Sequence, residues 1–254
     1  MLLKEKVNDY DIYFTNKETA LAVAYYYVNK FKQLNEVGVD LKVVEEDERV
    51  RIMAKSAGIV SETSPDDYQY FEQLPDDADD ATQFAESAAQ ALEEENADKE
   101  KYRPIFLSDN AITLSNKVQL IIRFYGDAEE IHDNYDFVHC TNYWLSKDKE
   151  LYLNEKALET LLSRELIYVG SKYLLCSNIR TRKFIRHNWT ITAGQYLKMM
   201  IQLNDLDLTD IVELEDKLTG VDTAYFHEVI RKLKEKGTET VDKAYLVTLI
   251  DRMF

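Results

Sequence analysis

The chain reads as an α+β protein: a small mixed sheet with flanking helices, followed by an all-helical carboxyl region. Three observations carry this. Short alternating or branched-rich runs cluster before residue 170, at the two-residue period of strands. From Leu174 onward the apolar residues recur at helical spacing instead, in segments of about 174–187, 192–204, 208–218, 221–236 and 240–253. With 254 residues and 45% hydrophobic content, the chain can bury a sizeable core, which excludes global disorder.

The elements follow in order. Val7–Phe14 alternates aromatic, acidic and branched residues and predicts a strand. Thr15 or Asn16 caps a helix to about Gln33, with Leu21, Ala24, Tyr25, Val28 and Phe31 on one face. Val39–Val44 is a second strand. Ala111–Ser115 and Val118–Phe124 predict paired strands, Ala128–Asp133 a short acidic helix, and Phe137–Leu145 a strand. A turn at 146–149 leads to Leu151–Leu153, a helix at Glu155–Leu162, and a short strand at Glu165–Val169. The expected division is an α+β domain over 1–170 and a helical domain over 171–254.

Charge is unevenly placed. The net charge is −16, yet Glu62 to Glu100 holds fourteen acids and one lysine. All three prolines fall in 62–104, so this span is expected to be an inserted acidic excursion outside the main core. The opposite bias runs from Leu166 to Asn204, with no acid and six bases: Lys172, Arg180, Arg182, Lys183, Arg186 and Lys198. The bases at 180–186 fall at helical spacing, suited to phosphate contacts, with Tyr173, Trp189 and Tyr196 available for stacking on bases. Pairing with the chain's own acidic segments is the alternative. Two cysteines without a metal-type spacing, and no apolar run near 20 residues, predict a cytoplasmic protein that does not span a membrane.

Asp9 and Asp11 alternate on their strand, so both side chains point to one face about 7 Å apart. Two such carboxylates with a third on a neighbouring strand would suit a pair of Mg²⁺ or Mn²⁺ ions, and Asp136 is the candidate third. His139 is expected to pack in a core. No P-loop, dinucleotide fingerprint or hydrolase motif is present.

Leu2-Leu3-Lys4-Glu5-Lys6-Val7-Asn8-Asp9-Tyr10-Asp11-Ile12 resembles the end of the Gly-Gly, Leu-Leu-Gly, Asp-hydrophobic-Asp motif of polymerase-β-type nucleotidyltransferases, especially CCA-adding enzymes and bacterial poly(A) polymerases. The order 118–124, 127–131, Asn134-Tyr135-Asp136-Phe137-Val138, 151–153, 155–162, 166–170 and Ile179-Arg180-Thr181-Arg182-Lys183-Phe184 is similar to the rest of that core. The stretches at 169–173, 179–185 and 193–198 are also similar to bacteriophage proteins. The resemblance implies metal-dependent transfer of a nucleoside monophosphate from an NTP to a hydroxyl of RNA, DNA or another acceptor. Catalysis would fall to Asp9, Asp11 and Asp136, with Lys172, Arg180, Arg182, Lys183 and Arg186 on the nucleotide or nucleic acid.

The chain departs from that pattern. The family's Gly-Gly segment would precede Met1, its paired arginines are Asn134 and Tyr135, and its base-reading positions are Tyr173, Leu174 and Ser177. The alternative is a catalytically degenerate phage module of the same fold that binds nucleic acid or protein.

Overall fold

A computed structural model describes residues 9–35, 41–46, 49–53, 58–60, 101–108, 110–210, 213–214 and 241–253. Most of the acidic excursion expected over 62–104 lies outside the described residues, as do the helix expected over 221–236 and most of that over 208–218. The chain packs as two units. One is built on residues 7–126, with 221–231 and 247–254; the other is built on 127–220, with 1–6 and 232–246. The boundary expected near 170 falls inside the second unit.

The first unit contains strand β1 (Tyr10–Phe14), helix α1 (Lys17–Asn35), and strands β2 (Lys42–Glu45), β3 (Val50–Met53), β4 (Gly58–Val60), β5 (Pro104–Ser108), β6 (Ala111–Leu114) and β7 (Val118–Tyr125). Five strands form one sheet in the order β1-β7-β6-β5-β4. The expected pairing of 10–14 with 118–124 is present, and it is parallel: Asp11 lies opposite Gln119 and Ile12 opposite Leu120. Strands β6 and β7 are the expected antiparallel pair, and β2 and β3 form a separate ribbon.

Helix α1 begins where the Asn16 carboxamide accepts from the Thr19 N–H at 2.9 Å. Its buried face is Ala20, Ala24, Val28 and Phe31, spaced by four, four and three residues. These pack with Leu107, Ile112, Leu114, Leu120 and Ile122 from the sheet and Val50 and Ile52 from the ribbon. The alanines let the helix approach the sheet closely, and Phe31 fills the far end.

Gly126, at φ 135°, ends the first unit in a backbone conformation that side chains disfavour. Asp127 then caps helix α2 (Ala128–His132), accepting from the Glu129 and Glu130 N–H groups while Glu130 reaches back to the Asp127 N–H.

In the second unit the expected strand over Phe137–Leu145 does not form. Val138–Cys140 is a single 3₁₀ turn. Phe137 makes one antiparallel bridge to Tyr168, and only β8 (Tyr143–Leu145) is extended, paired with β9 (Glu150–Tyr152) in its own ribbon. The cause is local polar competition. The Thr141 hydroxyl and N–H both donate to the Val138 carbonyl, and Asn142 accepts from the Asn154 N–H at 2.9 Å. This segment therefore does not join the sheet of β1 and β7.

Asn154 caps helix α3 (Glu155–Ser163). The strand expected at 165–169 shrinks to β10 (Glu165–Leu166), parallel to β11 (Thr190–Ile191). Helix α4 (Leu174–Arg186) carries the bases and α5 (Ala193–Asn204) packs against it. Helix α6 (Lys243–Met253) closes the described chain. The core here is Phe137, Leu166, Tyr168, Leu174 and Met199, flanked by Phe184, Trp189, Ile191, Leu203 and Leu206.

Candidate functional site

Asp136 enters this core one residue before the Phe137 bridge. Its carbonyl accepts from the Val169 N–H at 3.0 Å, and the Val138 N–H donates to Ile167 at 3.0 Å. These bonds pin the backbone on both sides of the Asp136 side chain. That side chain is 4% exposed, and Arg180 Nη1 donates to its Oδ2 at 2.6 Å. Burying a carboxylate this deeply requires such a partner. Arg180, 31% exposed, is aimed by the buried first turns of α4: Leu174, Leu175, Cys176 and Ser177, with Thr181 beyond.

Tyr168 completes the polar centre. Its hydroxyl donates to the Gln202 carboxamide oxygen. Gln202 Nε2 donates in turn to the Ser171 carbonyl at 2.7 Å, and the Tyr168 N–H donates to Gln195 at 3.0 Å. Burial pushes the Tyr168 phenol well above its ordinary value, and the Asp136 charge pushes it further.

An aromatic group flanks the ion pair. The His139 ring lies 4.8 Å from Phe184 and 4.5 Å from Trp189 between centroids, and 6.0 Å from Phe137. Its buried Nδ1 has no hydrogen-bond partner. Burial first, and the Arg180 charge second, lower its pKa to about 4, so the ring is neutral at pH 7. Core packing, as expected for His139, is what these contacts show, although on a 3₁₀ turn rather than a strand.

The residues expected to make a site are distributed as follows. Asp9 and Asp11 belong to the first unit, exposed just before and on β1. Asp136 and Arg180, placed in separate roles by the sequence, are partners in the second. Lys172, Arg182, Lys183 and Arg186 are exposed on or just before α4. Of the aromatic residues expected to stack on bases, Trp189 is half-buried against His139 and Phe184. Among the described residues no group of three or more His, Cys, Asp or Glu is gathered to hold a metal ion. Asp136 Oδ2 is taken by Arg180. Sequence reasoning missed Tyr168 and Gln202, 34 residues apart; no local pattern joins them.

A family model described as "Gabija anti-defense 2 family protein" matches residues 1–164. The chain belongs to the Gabija anti-defense 2 family. A protein of Bacillus phage SPbetaL7 named "Gabija anti-defense 2" is 25% identical over 132 residues. The aligned part is 50% of this chain and 33% of the relative, so the chain spans about a third of that relative's length. No solved structure matches. The expected link to phage proteins agrees with this family. The Gabija anti-defense 2 match includes Asp9, Asp11 and Asp136 and ends before the basic helix. Among the described residues no helix is long and apolar enough to cross a membrane.

Proposed function

We propose that this chain counters a host defence, Gabija, and does so by binding a component of it in the bacterial cytoplasm. The observation that carries the reading is the family match over residues 1–164, which takes in every strand of the five-stranded sheet and the start of the second unit. The geometry of the second unit supports binding over chemistry. Among the described residues its one buried carboxylate is neutralised by an arginine, and the Tyr168 phenol is held protonated; both are suited to a rigid scaffold. The test is efficiency of plating on Gabija-carrying cells. Expressing the chain restores plaques of a Gabija-sensitive phage; unchanged plating at full soluble expression overturns the reading.

A second reading, nucleotidyl transfer, rests on Asp9 and Asp11, exposed just before and on β1 at the two-residue spacing of the Asp-x-Asp motif. An NTP would be the donor and RNA, DNA or a protein hydroxyl the acceptor. Incubation with labelled NTPs, Mg²⁺ or Mn²⁺ and each acceptor tests it. Label transfer abolished by Asp9→Asn and Asp11→Asn supports this reading, and no transfer removes it.

A further inference from the structure

Helix α5 presents its apolar residues outward. Its inner face holds Gln195, Met199 and Gln202, one turn apart in succession. Both glutamines are committed to the Tyr168 and Ser171 network, and Met199 is buried in the core. On the opposite face Leu197, Met200 and Ile201 are 57%, 61% and 60% exposed. Their i, i+3, i+4 spacing puts them in one stripe. One turn earlier, Gly194 has open space where a Cβ would stand, so another chain can approach closely there. A soluble helix normally turns such a stripe inward, and an exposed one marks a contact surface.

Positive charge predominates beside the stripe among the described residues. Lys198 is exposed on its flank, α5 contains no acid before its exposed C-cap Asp205, and α4, packed against α5, exposes Arg182, Lys183 and Arg186. Residues 166–204 contain no acid at all.

We propose that the α5 stripe docks an acidic amphipathic segment of a host-defence protein, with apolar anchors on Leu197, Met200 and Ile201 and carboxylates toward Lys198 and the α4 bases. This rests on the anti-defence reading above. The chemistry selects the partner. Leucine, methionine and isoleucine fill a protein groove but offer no π face to a nucleobase, and Trp189 is packed against His139.

The experiment uses the full chain and purified Gabija proteins as the probe, with binding followed by biolayer interferometry alongside plating. The variants are Met200→Glu and Ile201→Glu, and separately Lys198→Glu. All three positions face solvent, so thermal melting stays within about 2 °C of the parent, in line with ordinary surface substitutions. Each apolar substitution is expected to weaken binding by at least about tenfold, and Lys198→Glu by several-fold, with a dependence on salt that the parent shows and Lys198→Glu lacks. Four results overturn the proposal: binding undiminished by Met200→Glu; a single-stranded oligonucleotide bound through the stripe; anionic vesicles bound through it; or a solution dimer that Met200→Glu dissolves. A parent chain that neither binds nor protects phage fails at the anti-defence reading itself. A parent that protects while Met200→Glu protects equally fails at the docking surface alone.

Discussion

Removing either partner of the Asp136–Arg180 pair destabilises the second unit unequally, because the partners are unequally buried. Arg180→Ala leaves a carboxylate that is 4% exposed without its cation. Stranding a buried charge costs about 3–5 kcal/mol. Asp136→Ala leaves a guanidinium that is 31% exposed and can turn to water, so its cost is set by the lost contact, about 1–2 kcal/mol. The double variant strands neither charge, so its cost falls well below the sum of the two, giving a coupling of about 1–3 kcal/mol. Urea denaturation of the four proteins, followed by tryptophan fluorescence, reads these values; Trp189 lies in the same core. Equal costs for the two single variants, or additivity in the double, would refute the reasoning that Asp136 is a buried anchor held by Arg180.

Other expectations follow from the same structure. His139 has a pKa of about 4 against an ordinary 6.5. The unfolded chain therefore binds the proton first as pH falls, and stability present above pH 6.5 is lost down to about pH 4. At about 1.4 kcal/mol per pH unit the loss is about 3 kcal/mol. His132 is lowered in the same direction and adds to it. His139→Phe should flatten that slope in urea titrations at pH 4.5, 5.5 and 7, and an unchanged slope would count against the burial argument. Phe31→Ala empties a fully buried position between α1 and the sheet and should cost about 3–5 kcal/mol, read by circular dichroism melting. Asp127→Ala removes both capping bonds at α2 and should cost about 1 kcal/mol, with a loss under about 0.3 kcal/mol contradicting it.

Much of the first unit was legible in the sequence. Strand alternation over 10–14 and 111–125, and the Ala24, Val28 and Phe31 face, come from periodicities that each element imposes on its own residues; Tyr25, expected on that face, is exposed. The parallel register of β1 on β7 was not legible, since about a hundred residues separate them. Strands β3 and β5 went unrecognised. In the second unit the strand expected over 137–145 failed because Thr141, Asn142 and Asn154 draw the backbone into local hydrogen bonds that an apolar pattern does not reveal. Asp136 was singled out as a metal ligand; its ion-pair partner lies 44 residues away, and Arg180 was read with the surface bases beside it. Helix α5 was placed to within a residue, yet its orientation was invisible. Gln195 and Gln202 face inward only because Tyr168 and Ser171 present hydrogen-bonding groups to them.

Action of this chain against Gabija is tested most directly in cells. The deciding measurement is the efficiency of plating of a Gabija-sensitive phage on Gabija-carrying cells that express the chain, with cells lacking Gabija as the reference. Recovery of plaque numbers toward the reference, with no effect of the chain on cells lacking Gabija, is the predicted result. Plating that stays at the restricted level while the chain is soluble and folded would contradict it.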